Sequence, residues 1–322
     1  MSSIRPRPVI PPRVRAGQTI GIVAPAGPVR PERLQAGLAR FAAQGGDAYR
    51  IRLAPSLSAP RPAGLPSYLA ASDEVRLAEL QAMIDDPDVR AIILARGGYG
   101  IMRLLTHLDP ARLRADPKPI VGFSDATALL AWAYAAGVRG IHGPVIAQLG
   151  DLADADIATL LARLTSTTPP GARPWALTSH GTGRHAGPLI AANLTLASML
   201  TGTPWQLPLA GSIALLEEVG EKPYELDRYL THLLLAGALA QPAAVVLGDL
   251  TRCADPRPPT GEPDPPDAAL AVLLERLAAA GRPVAVGAPV GHGTRNEAVP
   301  FGAHAELDLD RGELVITEPA VA

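Results

Sequence analysis

The stretch KPIVGFSDATALLAWAYAAG, Lys118 to Gly137, sets a short apolar run led by Pro119 directly against an Ala/Leu-rich segment closed by Gly137. The run is too short for a helix and reads as a buried strand. The segment after it is long enough for a helix, and its glycine is a stop signal. Ser124 therefore stands at the apex of a strand, a tight turn and a helix. Two roles suit a serine there. It is a preferred residue at helix N-termini, where its oxygen accepts an orphan backbone N–H. It is also the residue of a nucleophile elbow, whose strained turn lifts a hydroxyl clear of the sheet. The elbow needs small residues two before and two after the serine, and Gly122 and Ala126 supply them, as G-F-S-D-A in place of G-x-S-x-G. At the positive end of that helix the Asp125 N–H would stabilise an oxyanion.

Outward from this segment, strands and helices alternate. Thr19 to Ala24 reads as a strand ending in a Pro/Gly turn, and PERLQAGLARFAAQGG as an amphipathic helix stopped by glycines. A strand near AYRIRL, the helix SDEVRLAELQAMIDD and the strand VRAIILA lead into ARGGYG, Ala95 to Gly100. This alternation predicts an α/β fold with a parallel sheet covered on both faces. The expected division is an N-terminal α/β domain over residues 1–150, an interdomain linker over 151–186 and a C-terminal domain over 187–322. The linker contains one helix-like piece, DADIATLLARL, and then a Pro/Gly/Thr stretch. Further on, GSIALLEE, PAAVVLG and PVAVGAP read as strands, with YELDRYLTHLLLAGAL and AALAVLLERLAAAG as helices. A proline-rich loop, DPRPPTGEPDPPD, interrupts them, and AELDLDRGELVITEP reads as a closing hairpin by its period-2 alternation.

Composition narrows the function classes. The chain has 322 residues, 48% hydrophobic, with net charge −2, which is ordinary for a globular protein. Its scattered Lys and Arg and 4% aromatic content give neither a basic footprint nor a stacking platform for nucleic acid. Cys253 is the only cysteine, so no internal disulfide forms. The Pro/Arg-rich leader MSSIRPRPVIPPRVRAG has positive charge without an apolar core, and no run reaches roughly 18 apolar residues. A cytoplasmic protein without a membrane span is expected. There is no HExxH, no cysteine pair and no carboxylate–histidine cluster at ligand spacing, so neither metal nor cofactor is expected.

A serine nucleophile needs a base, and the chain offers seven histidines. His107, His180, His185, His232 and His304 each suit a helix end, a helix, a loop or a hairpin. His142 in GIHGP and His292 in PVGHGTRN lie on Gly/Pro-rich loops past apolar strands, where parallel-sheet proteins place their sites. Glycines on both sides of His292 leave room for substrate, which favours it. An acid must hold the imidazole, and Glu217, Glu218 and Glu221 all follow the strand SIALL; spacing leaves the three open. In ARGGYG, Gly97 and Gly98 offer backbone N–H groups as a second oxyanion donor, and Arg96 suits a bidentate grip on a carboxylate. The loop is equally readable as an ordinary Gly-rich turn.

Taken together, APAG, ARGGYGIMRLL, KPIVGFSDATALL, IHGP, GPLIAANLTLASMLTGTP, IALLEEVGEKPYELDR and PVGHGTRN resemble, in the same order, the LD-carboxypeptidases, a family that includes the microcin C immunity peptidases. The resemblance covers about Gln18 to Gly302. It implies Ser124 as nucleophile, His292 as base and Glu217 as acid, with the N–H groups of Gly98 and Asp125 as oxyanion hole. His142 then becomes structural or supporting. Arg96, Gly97 and Tyr99 are the candidate substrate-binding residues. Two departures stand out: Glu218 where the family usually has aspartate, and Ala191-Ala192 where it has a glycine pair.

The fold implied is a flavodoxin-like parallel-sheet N-terminal domain plus a smaller β-rich α/β C-terminal domain, with Ser124 on one and Glu217 and His292 on the other, and a homodimer is common. The activity implied is removal of the terminal D-alanine from a murein tetrapeptide. Cleavage of an aminoacyl or peptidyl nucleotide, with Trp175 stacking on the base, is the alternative. A non-catalytic two-domain binding protein is a further one.

Overall fold

The computed structural model describes residues 8–258 and 261–322. The first seven residues of the leader, and Pro259 and Thr260 of the proline-rich loop, lie outside the described residues. The chain forms two compact units. One holds the residues up to Thr168 together with Glu297–Gly302 and Pro319–Ala322, and the other holds Pro169–Asn296 and Ala303–Glu318.

In the first unit the chain runs β1 (Thr19–Val23), α1 (Pro31–Ala43), β2 (Arg50–Leu53), α2 (Asp73–Asp85), β3 (Val89–Leu94), α3 (Pro110–Ala115), β4 (Ile120–Gly122), α4 (Ala126–Ala135), β5 (Gly140–His142), α5 (Ile146–Leu149) and α6 (Asp154–Thr165). Strands β1 to β5 pair in parallel in the spatial order 2-1-3-4-5, the doubly wound order of flavodoxin. Every residue of β1 is buried, because helices cover both faces of a parallel sheet. Pro31 opens α1 with its fixed φ, and Leu34, Gly37 and Phe41 form the face it buries. The core joins Ile20, Ile22, Ile93, Val121 and Ile141 with Ile157, Leu160 and Leu164 of α6.

That last contact corrects the expected domain boundary. Helix α6 lies in the segment read as a linker, yet its apolar face belongs to the core of the first unit, so compactness carries that unit past residue 150 to Thr168. Pro/Gly/Thr composition marked where regular structure thins out, which is not where packing changes.

The second unit contains β6 (Gly171–Ala172), β7 (Thr178–His180), β8 (Arg184–Asn193), α7 (Leu194–Leu200), β9 (Ile213–Val219), α8 (Pro223–Leu235), β10 (Ala244–Thr251), α9 (Ala268–Ala279) and β11 (Val284–Val286). The chain then supplies β12 (Val299–Phe301) to the first unit, antiparallel to β5. It returns for β13 (His304–Asp308) and β14 (Glu313–Ile316), the expected hairpin. The sheet order is β6-β14-β13-β8-β9-β10-β11-β7, parallel from β8 to β11 and antiparallel at both flanks. Leu226, Leu230 and Leu233 of α8 and Leu273 and Leu277 of α9 are buried. Among the described residues no helix is long and apolar enough to cross a membrane.

Candidate active site

The turn after β4 is an elbow in its backbone. Ser124 has φ 62°, the left-handed region that a residue with a Cβ occupies at a cost. The Thr127 N–H donates to the Ser124 carbonyl at 2.9 Å, which starts α4. The Ser124 hydroxyl makes no hydrogen bond to any described residue, so it caps nothing, and it is partly exposed. A Cβ placed on Gly122 would lie 2.7 Å from the Ala126 Cβ. That is the steric reason for small residues on both sides of the serine.

The ARGGYG loop lies beside this turn. A Cβ on Gly97 would sit 3.1 Å from Ser124 Oγ, and the Gly27 N–H donates to the Gly97 carbonyl at 3.1 Å. The loops after β1 and β3 thus meet at the point where strand order reverses, the usual ligand crevice of an open α/β sheet. Gly98 has φ 110°. Tyr99 is 49% exposed and meets Tyr68 edge-on at 5.6 Å. Arg96 Nη1 donates to the Pro28 carbonyl at 2.6 Å, so part of the expected carboxylate grip is used on the backbone.

Two supports of this loop were not read from the sequence. The Asp125 carboxylate is buried and accepts from the Ile101 N–H at 2.9 Å; burial pushes its pKa up to about 6, against the lowering effect of that bond. Arg76 is wholly buried, with Nη1 donating to the carbonyls of Pro25 and Gly100, Nε to that of Ala71, and Nη2 paired with Asp73. A signal existed, since Arg76 shares the inner face of α2 with Leu80, Met83 and Ile84 at helical spacing. A charged residue in an apolar stripe needs built-in partners.

In the second unit His292 Nδ1 lies 2.6 Å from Glu217 Oε2. Glu217 lies in the buried stretch of β9 and is 0% exposed, while the His292 side chain is 18% exposed. Burial works to lower the His292 pKa, but the hydrogen bond and charge of Glu217, with the charges of Glu218 and Asp249, leave it raised above the ordinary imidazole value. The loop bearing His292 is held close. The Gly291 N–H donates to Asn296 Oδ1 at 3.1 Å, and a side chain at Gly291, whose φ is 138°, would meet Glu217 Oε2 at 3.1 Å. Asn296 is a further residue whose role was not legible in PVGHGTRN.

The geometry separates the three candidate acids. Glu218 accepts from Asn193 Nδ2, the Thr195 N–H and hydroxyl, and the Val219 N–H at 2.7–2.8 Å, tying β9 to the start of α7. Glu221 accepts from the Tyr229 hydroxyl at 3.1 Å. His142 is buried edge-on to Phe123 in the first unit. Ser124, Gly97, Gly98 and Asp125 belong to the first unit, Glu217 and His292 to the second. Among the described residues no group of three or more His, Cys, Asp or Glu side chains is placed to hold a metal.

Residues 20–143 match the LD-carboxypeptidase N-terminal domain and residues 186–307 the LD-carboxypeptidase C-terminal domain. A Streptomyces coelicolor chain that bears a carboxypeptidase name is 39% identical over 320 residues, 97% of each chain. The murein tetrapeptide carboxypeptidase of Pseudomonas aeruginosa is 34% identical over 315 residues, 91% of this chain and 94% of that one. In fold, the solved microcin C7 self-immunity protein MccF, in complex with glutamyl sulfamoyl guanosine, superposes with a TM-score of 0.84 at 22% identity, over 98% of this chain and 100% of that one. The chain belongs to the LD-carboxypeptidase family, a family of serine-type peptidases.

Proposed function

We propose that the protein is a cytoplasmic LD-carboxypeptidase that removes the terminal D-alanine from murein tetrapeptides by a Ser-His-Glu triad. The hydrogen bond between His292 Nδ1 and Glu217 Oε2 carries the reading, since it fixes the imidazole tautomer and leaves Nε2 to act as base. His292 takes the Ser124 proton as the hydroxyl attacks the scissile carbonyl. The N–H groups of Asp125 and Gly98 receive the oxyanion. His292 then protonates the departing D-alanine amine, and water hydrolyses the acyl-enzyme by the same steps in reverse. Arg96 and Tyr99 serve the substrate's terminal carboxylate and flank. A homodimer and a reducing compartment complete the proposal. The latter is supported by the chain having Cys253 as its single cysteine and so no internal disulfide.

The second reading, cleavage of an aminoacyl nucleotide, draws on MccF, whose solved structures hold glutamyl sulfamoyl guanosine and aspartyl sulfamoyl adenosine. Trp175, the residue expected to stack on a base, is only 6% exposed, which favours the peptide reading. D-Alanine release from purified murein tetrapeptide by the wild type and by Ser124→Ala tests the proposal. Release by the wild type, lowered at least about a thousandfold in the variant, supports it. No release by either, with hydrolysis of an aminoacyl sulfamoyl nucleoside, selects the second reading.

A further inference from the structure

The loop from Gly97 to Ile101 runs beside Ser124 on backbone that does not hold itself. Gly98 and Gly100 have φ 110° and 134°, a region open to glycine, so the peptide units between them can turn at little steric cost. The loop's position is therefore set by what grips it. At one end the Gly27 N–H donates to the Gly97 carbonyl at 3.1 Å. At the other end a single peptide unit, Gly100–Ile101, is gripped on both sides. Its carbonyl accepts from Arg76 Nη1 at 3.1 Å, and its N–H donates to the Asp125 carboxylate at 2.9 Å. A peptide is planar, so holding its oxygen and its N–H together fixes the plane. The glycine makes room for this, since a Cβ on Gly100 would lie 2.7 Å from Arg76 Nη1.

The two grips tie the loop to different things. Arg76 also holds the Pro25 and Ala71 carbonyls and pairs with Asp73, so it anchors the loop to the frame of the first unit. Asp125 follows Ser124 directly, so its carboxylate, on a residue 2% exposed, anchors the loop to the elbow itself. Keeping a charge there opposes folding. Burial pushes the Asp125 pKa up to about 6, against the N–H groups of Ile101 and Gly100 and the Arg76 charge. A neutral side chain of that shape is easier to bury, and a group retained against stability belongs to function.

We infer that the Asp125 carboxylate is a positioning group for the oxyanion hole, locking the Gly100–Ile101 peptide so that the Gly98 N–H and the Asp125 N–H converge on one oxygen. One residue then supplies a donor through its backbone and places the other through its side chain. The inference rests on the proposed serine-peptidase mechanism and adds to it the group that sets the geometry of the hole. A misplacement of about 1 Å is enough to lower a rate by about 10²-fold.

The test uses two side chains at position 125, both of which leave its backbone N–H in place. Asp125→Asn keeps an oxygen for the Ile101 N–H, and Asp125→Ala removes the acceptor. In D-alanine release from murein tetrapeptide, Asp125→Ala is expected to lose about 10²- to 10³-fold in kcat with KM within about threefold, and Asp125→Asn less than about tenfold. Modification of Ser124 by a fluorophosphonate, which expels fluoride and leaves a tetrahedral phosphonyl adduct, is expected to slow in the same order. Loss through KM, equal loss in both variants, or no loss in either overturns the inference. Where Asp125→Ala does not fold, Asp125→Leu, with the shape of asparagine and no acceptor, takes its place. If neither folds, the carboxylate serves the fold and the positioning role is overturned. If wild type releases no D-alanine, the murein-peptide reading fails and the fluorophosphonate rates alone judge the inference. The same order of rates upholds it, and an unreactive wild type or equal rates overturn it.

Discussion

Glu217 Oε2 and His292 Nδ1 are 2.6 Å apart although 75 residues separate them in the chain. One lies within a buried strand and the other sits on a glycine-flanked loop, and the contact is closed because Gly291 carries no side chain to obstruct it. The Glu217 carboxylate has no exposed surface, and its hydrogen bond and charge act on the His292 imidazole.

Glu217→Gln keeps the shape and removes that charge. The expected result is a fall in kcat of about 10⁴-fold, as for other triads in which the acid is amidated. The pH profile carries the second half of the prediction. His292 must be neutral to accept a proton, and its pKa is raised, so wild-type kcat/KM should fall with decreasing pH through a limb above the ordinary imidazole value. In Glu217→Gln that limb should move to lower pH. An unmoved limb would show that Glu217 does not set the protonation of His292.

The left-handed turn at Ser124 predicts a conflict between stability and activity. Ser124→Gly relieves the Cβ strain and should raise the unfolding free energy by about 0.5–1 kcal/mol, measured by denaturant titration, in an inactive protein. Ser124→Ala, equally inactive, keeps the Cβ and should show no such gain.

Gly122→Ala would put a methyl group 2.7 Å from the Ala126 Cβ. A loss of about 1–3 kcal/mol is expected, together with a drop in kcat as the elbow shifts. Ala126→Gly in the same chain should return most of the activity. A non-additive double-mutant cycle is the measurement, and strict additivity would disprove the contact.

Asp125 has its folded pKa pushed up to about 6 by burial, from a model-peptide value near 3.8. The folded state therefore binds this proton more tightly than the unfolded state. Its contribution favours folding most below pH 3.8 and is lost as pH rises through about 6. Asp125→Asn keeps an oxygen for the Ile101 N–H and removes the charge. Between pH 4 and 7 the stability difference, variant minus wild type, should grow by up to about 3 kcal/mol in the variant's favour.

The local elements were readable from the chain. Apolar runs such as Ile120–Gly122 and Val89–Leu94, and the Pro/Gly punctuation around them, depend on neighbours within a few residues, and periodicity records those. Ser124 and His292 were legible as candidates for the same reason, because strand ends followed by small residues leave a side chain room to work. Their family membership followed from the order of the motifs.

What required the folded chain was every relation between distant segments. That Glu217 meets the His292 loop while Glu218 and Glu221 take other partners is one such relation. The crossing of Val299–Phe301 back to β5 and the packing of α6 on the first core were likewise invisible to local pattern. A three-residue strand has no period of its own, and an amphipathic helix states that it must bury a face without naming the surface. Such choices depend on burial and hydrogen bonding accumulated over the whole fold, so Arg76, buried among the carbonyls it holds, became intelligible only when those carbonyls were in place.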